Sequence, residues 1–181
     1  MRDLRVIEFL SIDGVMEAPE DWQRPYFDDV LAAETAKGMA STDAYLFGRR
    51  TYEKLAAYWP TAPEDDPYAG HLNATRKYVA STTLRELEWR NSSLIEGDVA
   101  EAVRRLKQEP GGDIAVLGSG ELAQTLIRHD LVDEYFLCVF PIVLGSGKRL
   151  FRELDASRRL TLADSKATAT GGVLLTYRPV S

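Results

Sequence analysis

Cysteine is almost missing from this chain of 181 residues, where Cys138 stands alone. One thiol cannot close an internal disulfide, so the fold must hold without a covalent cross-link, and nothing points to an oxidising compartment. Cys138 lies inside the run Tyr135-Phe136-Leu137-Cys138-Val139-Phe140, the setting of a small buried hydrophobe rather than a nucleophile. Long hydrophobic runs are lacking too: nothing approaches the roughly 18 apolar residues of a membrane span. Arg2, Asp3, Arg5 and Glu8 interrupt the stretch where a signal peptide would carry its apolar core. A basic excess is also absent. The 28 acidic residues outnumber the 22 basic ones and leave a net charge of −6. That balance withholds the basic footprint that binding to nucleic-acid phosphates requires. Histidine is limited to His71 and His129, neither set in a motif, and both are expected at the surface. Repeats, linkers and low-complexity segments do not occur, so residues 1–181 are expected to form a single domain, with no membrane or nucleic-acid partner and a cytoplasmic location.

What is present suits a globular core. Hydrophobic residues make up 45% and charged residues 28%, ordinary values for a chain long enough to bury one substantial core. Residues 4–11 read as a strand buried on more than one face, ending in a loop with Asp13-Gly14 and Pro19. A helix is expected over residues 25–37, with Pro25 in its first turn, Gly38 past its end, and Phe27, Val30, Leu31 and Ala33 among its apolar positions. Ala44-Tyr45-Leu46-Phe47 is a second strand, closed by Gly48 and followed by a helix over residues 49–58. Residues 61–70 read as a polar, proline-rich surface loop. Lys77-Tyr78-Val79-Ala80 is a third strand, ending at Ser81-Thr82-Thr83, and Ser93-Leu94-Ile95-Glu96 a fourth. Asp98 caps a helix over residues 99–108.

The most informative stretch is Ile114-Ala115-Val116-Leu117-Gly118-Ser119-Gly120-Glu121-Leu122. It reads as a buried strand, a tight glycine turn and a helix start, where free N–H groups and the helix dipole favour an anion; the alternative is a turn that needs positive φ and binds nothing. Gly48-Arg49-Arg50-Thr51 repeats the pattern with two cations at the helix start. The dipole alone disfavours cations there, so their place makes sense if an anion is shared between side chains and backbone. A long strand over 134–140 leads to a second glycine loop, Gly145-Ser146-Gly147-Lys148, which no clear helix follows and which ranks lower as a phosphate cradle. The run from Tyr135 to Leu144 is apolar enough to contribute to a subunit interface. Two final strands flank Thr170-Gly171-Gly172, a hairpin signal.

Strands alternating with helices and finished by antiparallel strands imply an α/β sheet, parallel in the middle and antiparallel at its C-terminal edge. Ligands on such sheets lie outside the carboxyl ends of the strands. Asp13-Gly14, Gly48-Arg49, Ser81-Thr82 and Gly118-Ser119-Gly120 all fall at such ends. The extended G-x-G-x-x-G fingerprint of an ordinary Rossmann domain is not there: Ala123 stands at its last position, and no acidic ribose ligand follows at the usual distance.

Taken in order, Ser11-Ile12-Asp13-Gly14-Val15-Met16, Leu46-Phe47-Gly48-Arg49-Arg50-Thr51-Tyr52-Glu53, Tyr78-Val79-Ala80-Ser81, Leu117-Gly118-Ser119-Gly120-Glu121-Leu122 and Pro141-Ile142-Val143-Leu144-Gly145-Ser146-Gly147-Lys148-Arg149-Leu150-Phe151 resemble the dihydrofolate-reductase-like family. That family includes the C-terminal reductase domain of bifunctional riboflavin-biosynthesis enzymes. The resemblance implies a three-layer α/β fold with a mixed, mostly parallel central sheet and helices on both faces, NADPH as cofactor, and a homodimer. Carried over by motif, Leu117, Gly118, Ser119, Gly120, Glu121 and Leu122 would hold the pyrophosphate and lie near the nicotinamide. Gly48, Arg49 and Thr51 would sit on the pyrophosphate and adenosine-phosphate side, and Ser81 and Thr82 near the 2′-phosphate. Asp13 is the candidate for substrate binding or proton relay; its alternative is simply to make a turn with Gly14. Asp28 and Asp29 lie in the expected first helix, where a folate-reducing relative carries an acid, without a confident alignment for either. The expected activity is hydride transfer from NADPH to a small heterocycle of pterin or ribosylamino-pyrimidine type. A nucleotide-binding protein without catalysis is the alternative.

Overall fold

The computed structural model describes residues 1–63, 65–152 and 154–180. Eight strands form one sheet in the order β4-β3-β2-β5-β1-β6-β8-β7. They are β1 (Leu4–Ser11), β2 (Thr42–Gly48), β3 (Arg76–Ala80), β4 (Ser92–Leu94), β5 (Asp113–Leu117), β6 (Glu134–Phe140), β7 (Leu160–Ala167) and β8 (Val173–Pro179). The pairs from β4 across to β6 are parallel, while β6–β8 and β8–β7 are antiparallel. The helices are α1 (Asp29–Ser41), α2 (Arg49–Ala56), α3 (Pro67–Ala74), α4 (Val99–Gln108) and α5 (Gly120–Arg128). This is the dihydrofolate-reductase-like three-layer α/β fold, with its antiparallel edge at the C-terminal end of the chain.

The alternation along the strands sorts the core into two layers. Leu4, Val6, Leu46 and Val116 pack with Val103 and Leu106 of α4 and Leu122 and Leu126 of α5. On the other face Tyr45, Phe47, Val79 and Ala115 pack with Tyr52 of α2 and Leu72 of α3, and Leu31 of α1 packs with Cys138, Phe140 and Leu174. Chain direction explains the division. The β1-to-β2 and β2-to-β3 connections run one way along the sheet, while β4-to-β5 and β5-to-β6 run the other way. Right-handed crossovers therefore put their helices on opposite faces.

Several elements differ from the sequence reading. The first helix begins at Asp29 rather than at 25, because Arg24–Tyr26 forms a separate 3₁₀ turn and Asp28 caps α1 by accepting from the Leu31 N–H. Leu31 is the buried residue of α1, and Phe27 is exposed. The stretch 61–70 is not all loop: α3 begins at Pro67, with Asp66 capping the Tyr68 and Ala69 N–H groups. Asp-Pro was a readable helix start, and the neighbouring prolines masked it; Glu64 lies outside the described residues. Most of the apolar run from Tyr135 to Leu144 is not available to a subunit interface: residues 135–140 form β6, an interior strand between β1 and β8, with Tyr135, Leu137, Cys138 and Phe140 all buried, while Val143 beyond it is exposed. His71 is half-buried against the Tyr45 ring instead of free at the surface, and burial lowers its pKa, with the charge of Lys77 adding to the effect. Among the described residues no helix is long and apolar enough to cross a membrane.

Candidate functional site

β2 and β5 are neighbours whose following connections depart in opposite directions, β2 toward β3 and β5 toward β6. Their carboxyl ends are thus the topological switch point of the sheet, where a crevice must open. A cleft of about 1350 Å³ lies there, larger than the roughly 300–1,000 Å³ that serves one small ligand. Gly48, Arg49, Thr51, Ser81, Thr82, Leu117, Gly118, Ser119, Gly120, Glu121 and Leu122 all line it. Three of the four strand-end loops picked out in the sequence therefore meet in one cavity. Register accounts for the grouping: Gly48 pairs with Ala80, so Arg49 and Ser81 leave adjacent strand ends.

The helix starts at this edge differ from the others. Among the described residues, α1, α3 and α4 are each capped by an aspartate, Asp28, Asp66 and Asp98. Neither α2 nor α5 has a side-chain cap. Two bundles of first-turn N–H groups thus stand side by side without a capping side chain among the described residues, beside Arg49 and Arg50. Arg49 makes only an exposed contact at 3.4 Å with Glu53, and no ion pair of Arg50 with a described residue occurs. Gly118 (φ 57°) and Ser119 (φ 64°) both adopt left-handed backbone, which bends the chain sharply into α5. That conformation is strained for serine, and its hydroxyl holds it: Ser119 Oγ accepts from the Gly48 N–H at 3.0 Å and donates to the Leu117 carbonyl at 3.3 Å. Ser119 thus ties the two glycine turns together, and what it can offer a phosphate is backbone. Gly120 has a separate reason to be glycine: a Cβ there would lie 3.1 Å from the Met16 sulfur.

The hydroxyl of Ser81 is likewise engaged, accepting from the Thr83 and Leu84 N–H groups, while Thr82 is exposed. Glu121, at the start of α5, is paired with Arg152 at 2.7 Å. That contact, and the charges of Arg152, Lys148 and Arg50 around it, hold its carboxyl below the usual range. The cleft then runs under α1. Ile7, Phe9, Phe136 and Tyr45 of the sheet lie on one side, Thr35 and Met39 of α1 on the other, with Phe27, Tyr68 and Leu72 also lining the recess. The small residues Thr35 and Gly38 of α1 line this space and leave it unfilled.

Asp13 is the exception. It does not line the cleft. Its carboxylate accepts from Ser11 Oγ at 2.7 Å, the Leu144 N–H at 3.1 Å and the Gly145 N–H at 2.9 Å. These donors, led by the Ser11 hydroxyl, pull its pKa down to about 2. Asp13 thus clamps the loop after β1 to the loop after β6, which accords with a turn-fastening part rather than with contact to the cleft. Asp28 is also employed elsewhere, capping α1 and accepting from the Ala169 N–H in the β7–β8 hairpin. Trp22 is buried edge-on to Phe140 and away from the cleft lining.

Two features escaped the sequence. β1 pairs with β5 only as far as Ile7↔Leu117 but with β6 through Ser11↔Phe140. Its odd residues point their backbone groups toward β5, as the Asp3 carbonyl does in accepting from the Ile114 N–H. The Phe9 N–H and carbonyl therefore face the notch beyond β5 with no strand beside them, a donor–acceptor pair suited to a planar amide. The second feature is Glu8, a buried acid on the same strand that lines the cleft. Its only sequence signal was an acid amid the apolar residues of a strand.

Comparison with known proteins accords with this geometry. The family model for the RibD C-terminal domain matches residues 2–174. The chain belongs to that family. Among relatives, YwjB of Bacillus subtilis, described as an uncharacterized protein, is 30% identical over 161 residues, covering 87% of each chain. The uncharacterized protein YyaP of the same organism is 31% identical over 138 residues, 75% of this chain and 73% of that one. In structure the chain resembles a candidate riboflavin biosynthesis protein of Shewanella sp. PV-4, with a TM-score of 0.78 at 23% identity over 99% of both chains. It also resembles the diaminohydroxyphosphoribosylaminopyrimidine deaminase/5-amino-6-(5-phosphoribosylamino)uracil reductase of Thermotoga maritima, with a TM-score of 0.70 at 14% identity. That match covers 99% of this chain and 57% of the Thermotoga one. At these identities the structural likeness speaks for the fold.

Proposed function

We propose that this RibD C-terminal domain protein is an NADPH-dependent reductase of a small heterocycle of ribosylamino-pyrimidine or pterin type. One observation carries the reading: the paired, uncapped starts of α2 and α5 beside Arg49 and Arg50, at a switch-point cleft that continues into an apolar recess under α1. A dinucleotide pyrophosphate matches the free N–H groups. The Phe9 backbone pair suits the nicotinamide carboxamide. Arg49 with Thr82 suits the 2′-phosphate, which favours NADPH because NADH would leave the guanidinium unmatched. The cofactor, when bound, supplies the hydride. The chain's own task is to orient the two ligands and keep water out. The size of the cleft and the apolar walls of the recess support a second, planar ligand beside the nucleotide.

The test is titration of NADPH and NADH by fluorescence on wild type and on Arg49→Ala, followed by NADPH oxidation with 5-amino-6-(5-phosphoribosylamino)uracil and with 7,8-dihydrofolate. Tighter binding of NADPH than NADH, with the preference lost in Arg49→Ala, is expected, together with turnover of one compound. Binding without turnover would favour a non-catalytic NADP(H)-binding protein; no binding of either nucleotide would remove the reading. The protein is further proposed to act as a homodimer in the cytoplasm. Light scattering that gives a monomer mass at every concentration would end the dimer proposal.

A further inference from the structure

Glu8, Glu17, Glu20, Glu34 and Glu121 all line the cleft. Four of them have cations. Glu17 faces Lys148, Glu20 pairs with Lys54, Glu34 with Lys37 and Lys166, and Glu121 with Arg152. Glu8 is the odd one. It is 4% exposed, and its buried Oε1 has no hydrogen-bond partner among the described residues. A buried polar atom without a partner costs the molecule stability, and an apolar side chain of similar size would avoid that cost.

Its position suggests what the acid is for. Glu8 is the first residue of β1 past the last pair with β5, Ile7↔Leu117. By alternation it shares a face with Val6 and Leu10, toward α5. Met16 and Leu122 belong both to that packed layer and to the cleft lining, so the cleft reaches Glu8 around the end of β5. Tyr45 also lines the cleft, but its sheet partner Ala115 lies two residues before the end of β5. Its phenol is therefore deeper in the sheet and farther from the glycine turn.

We propose that Glu8 is the acid of this cleft: it holds a proton at the end beside Met16 and Leu122 and gives it to the substrate atom adjacent to the carbon that is reduced. The inference rests on the reductase reading above. For a C=N substrate, hydride from a reduced nicotinamide dinucleotide adds to carbon, the π pair moves to nitrogen, and that nitrogen takes the Glu8 proton. The products are the C–H/N–H compound, the oxidised dinucleotide and the Glu8 carboxylate, which regains a proton from water.

Burial raises the Glu8 carboxyl well above the usual range, with no donor or cation among the described residues opposing it, which favours its protonated form. The titratable groups of the surrounding elements do not replace it. On β6 burial pushes the Cys138 thiol up, and the Tyr135 phenol is raised to about 12, chiefly by burial. Glu17 with Lys148, Arg149 with Asp13, and Glu121 with Arg152 are charged pairs on the flanking loops and α5.

The deciding experiment compares wild type, Glu8→Gln and Glu8→Asp with NADPH and the two compounds named above, alongside infrared spectra of the nucleotide-free proteins. Glu8→Gln keeps size and neutrality but cannot give up a proton. It is expected to bind NADPH as wild type does and keep a similar KM, while losing roughly 100-fold or more in kcat. The wild-type kcat should fall as pH rises through the raised carboxyl value; the Gln variant should be flat there, and Glu8→Asp should regain part of the rate with its pH dependence. A protonated-carboxyl stretch should be present in wild type at pH 7 and absent in Glu8→Gln. An unchanged kcat and pH profile in Glu8→Gln, or no such band in wild type, overturns the donor role while leaving nucleotide binding and turnover standing. Wild type that reduces neither compound removes the reductase reading and this role together.

Discussion

A carboxylate that accepts from three donors resists protonation, and Asp13 is such a group. Its folded-state pKa of about 2 lies below the ordinary 3.8. The stabilisation it gives is therefore fully present above the ordinary value and lost as pH falls through the folded one. Asp13→Ala should lower the melting temperature at pH 7, and thermal melts should show the deficit shrinking as pH falls toward 2. Lys77 illustrates the opposite case, a cation drawn inside. It is 1% exposed, donates to the Leu72 and Thr75 carbonyls, and lies 4.5 Å from the Trp89 ring centroid. It thereby satisfies carbonyls at the C-terminal end of α3. Lys77→Met leaves these acceptors unpaired and should cost roughly 1–3 kcal/mol by denaturant titration. Neither role was legible from residue type: Asp13 resembled a catalytic acid because the motif around it did, and its partners at Leu144 and Gly145 are distant in sequence.

At the scale of elements, the contrast between capped and uncapped helices sets the starts of α1, α3 and α4 apart from those of α2 and α5, where the proposed nucleotide would bind. Asp98→Ala at the start of α4 should cost about 1 kcal/mol of stability and leave nucleotide binding unchanged. Gly48→Asp should do the reverse. Gly48 has extended backbone (φ −78°, ψ 161°) suited to a capping side chain, and an added Cβ would make only ordinary contacts at 3.7 Å or more. The carboxylate would cap α2 and occupy the place proposed for the nucleotide's phosphate. Thermal stability should hold or rise, while NADPH affinity by fluorescence titration should fall at least tenfold. The two strand–glycine–helix units were plain in the sequence because glycine and the change of period mark them locally. α3 was hidden by its prolines, and the start of α1 was misplaced because Pro25 served a separate turn.

For the whole molecule, a ligand that binds only the folded state raises its stability with the logarithm of its concentration over Kd. NADPH at about 100 times its Kd should add roughly 2.7 kcal/mol, a melting-temperature rise of roughly 5–10 °C, and calorimetry with and without nucleotide checks this. The sequence by itself determined the class of sheet, its antiparallel C-terminal end and the glycine turns that border the cleft. Those follow from hydrophobic period and turn chemistry, which act over a few residues. Only the tertiary structure decided that Asp13 fastens two loops, that residues 135–140 are an interior strand, and that Glu8 is a buried acid at a cavity. Burial and hydrogen-bond partnership depend on which strands lie side by side. For Glu8 that meant β5 ending one residue short of it, a fact of register that no local pattern along β1 carries.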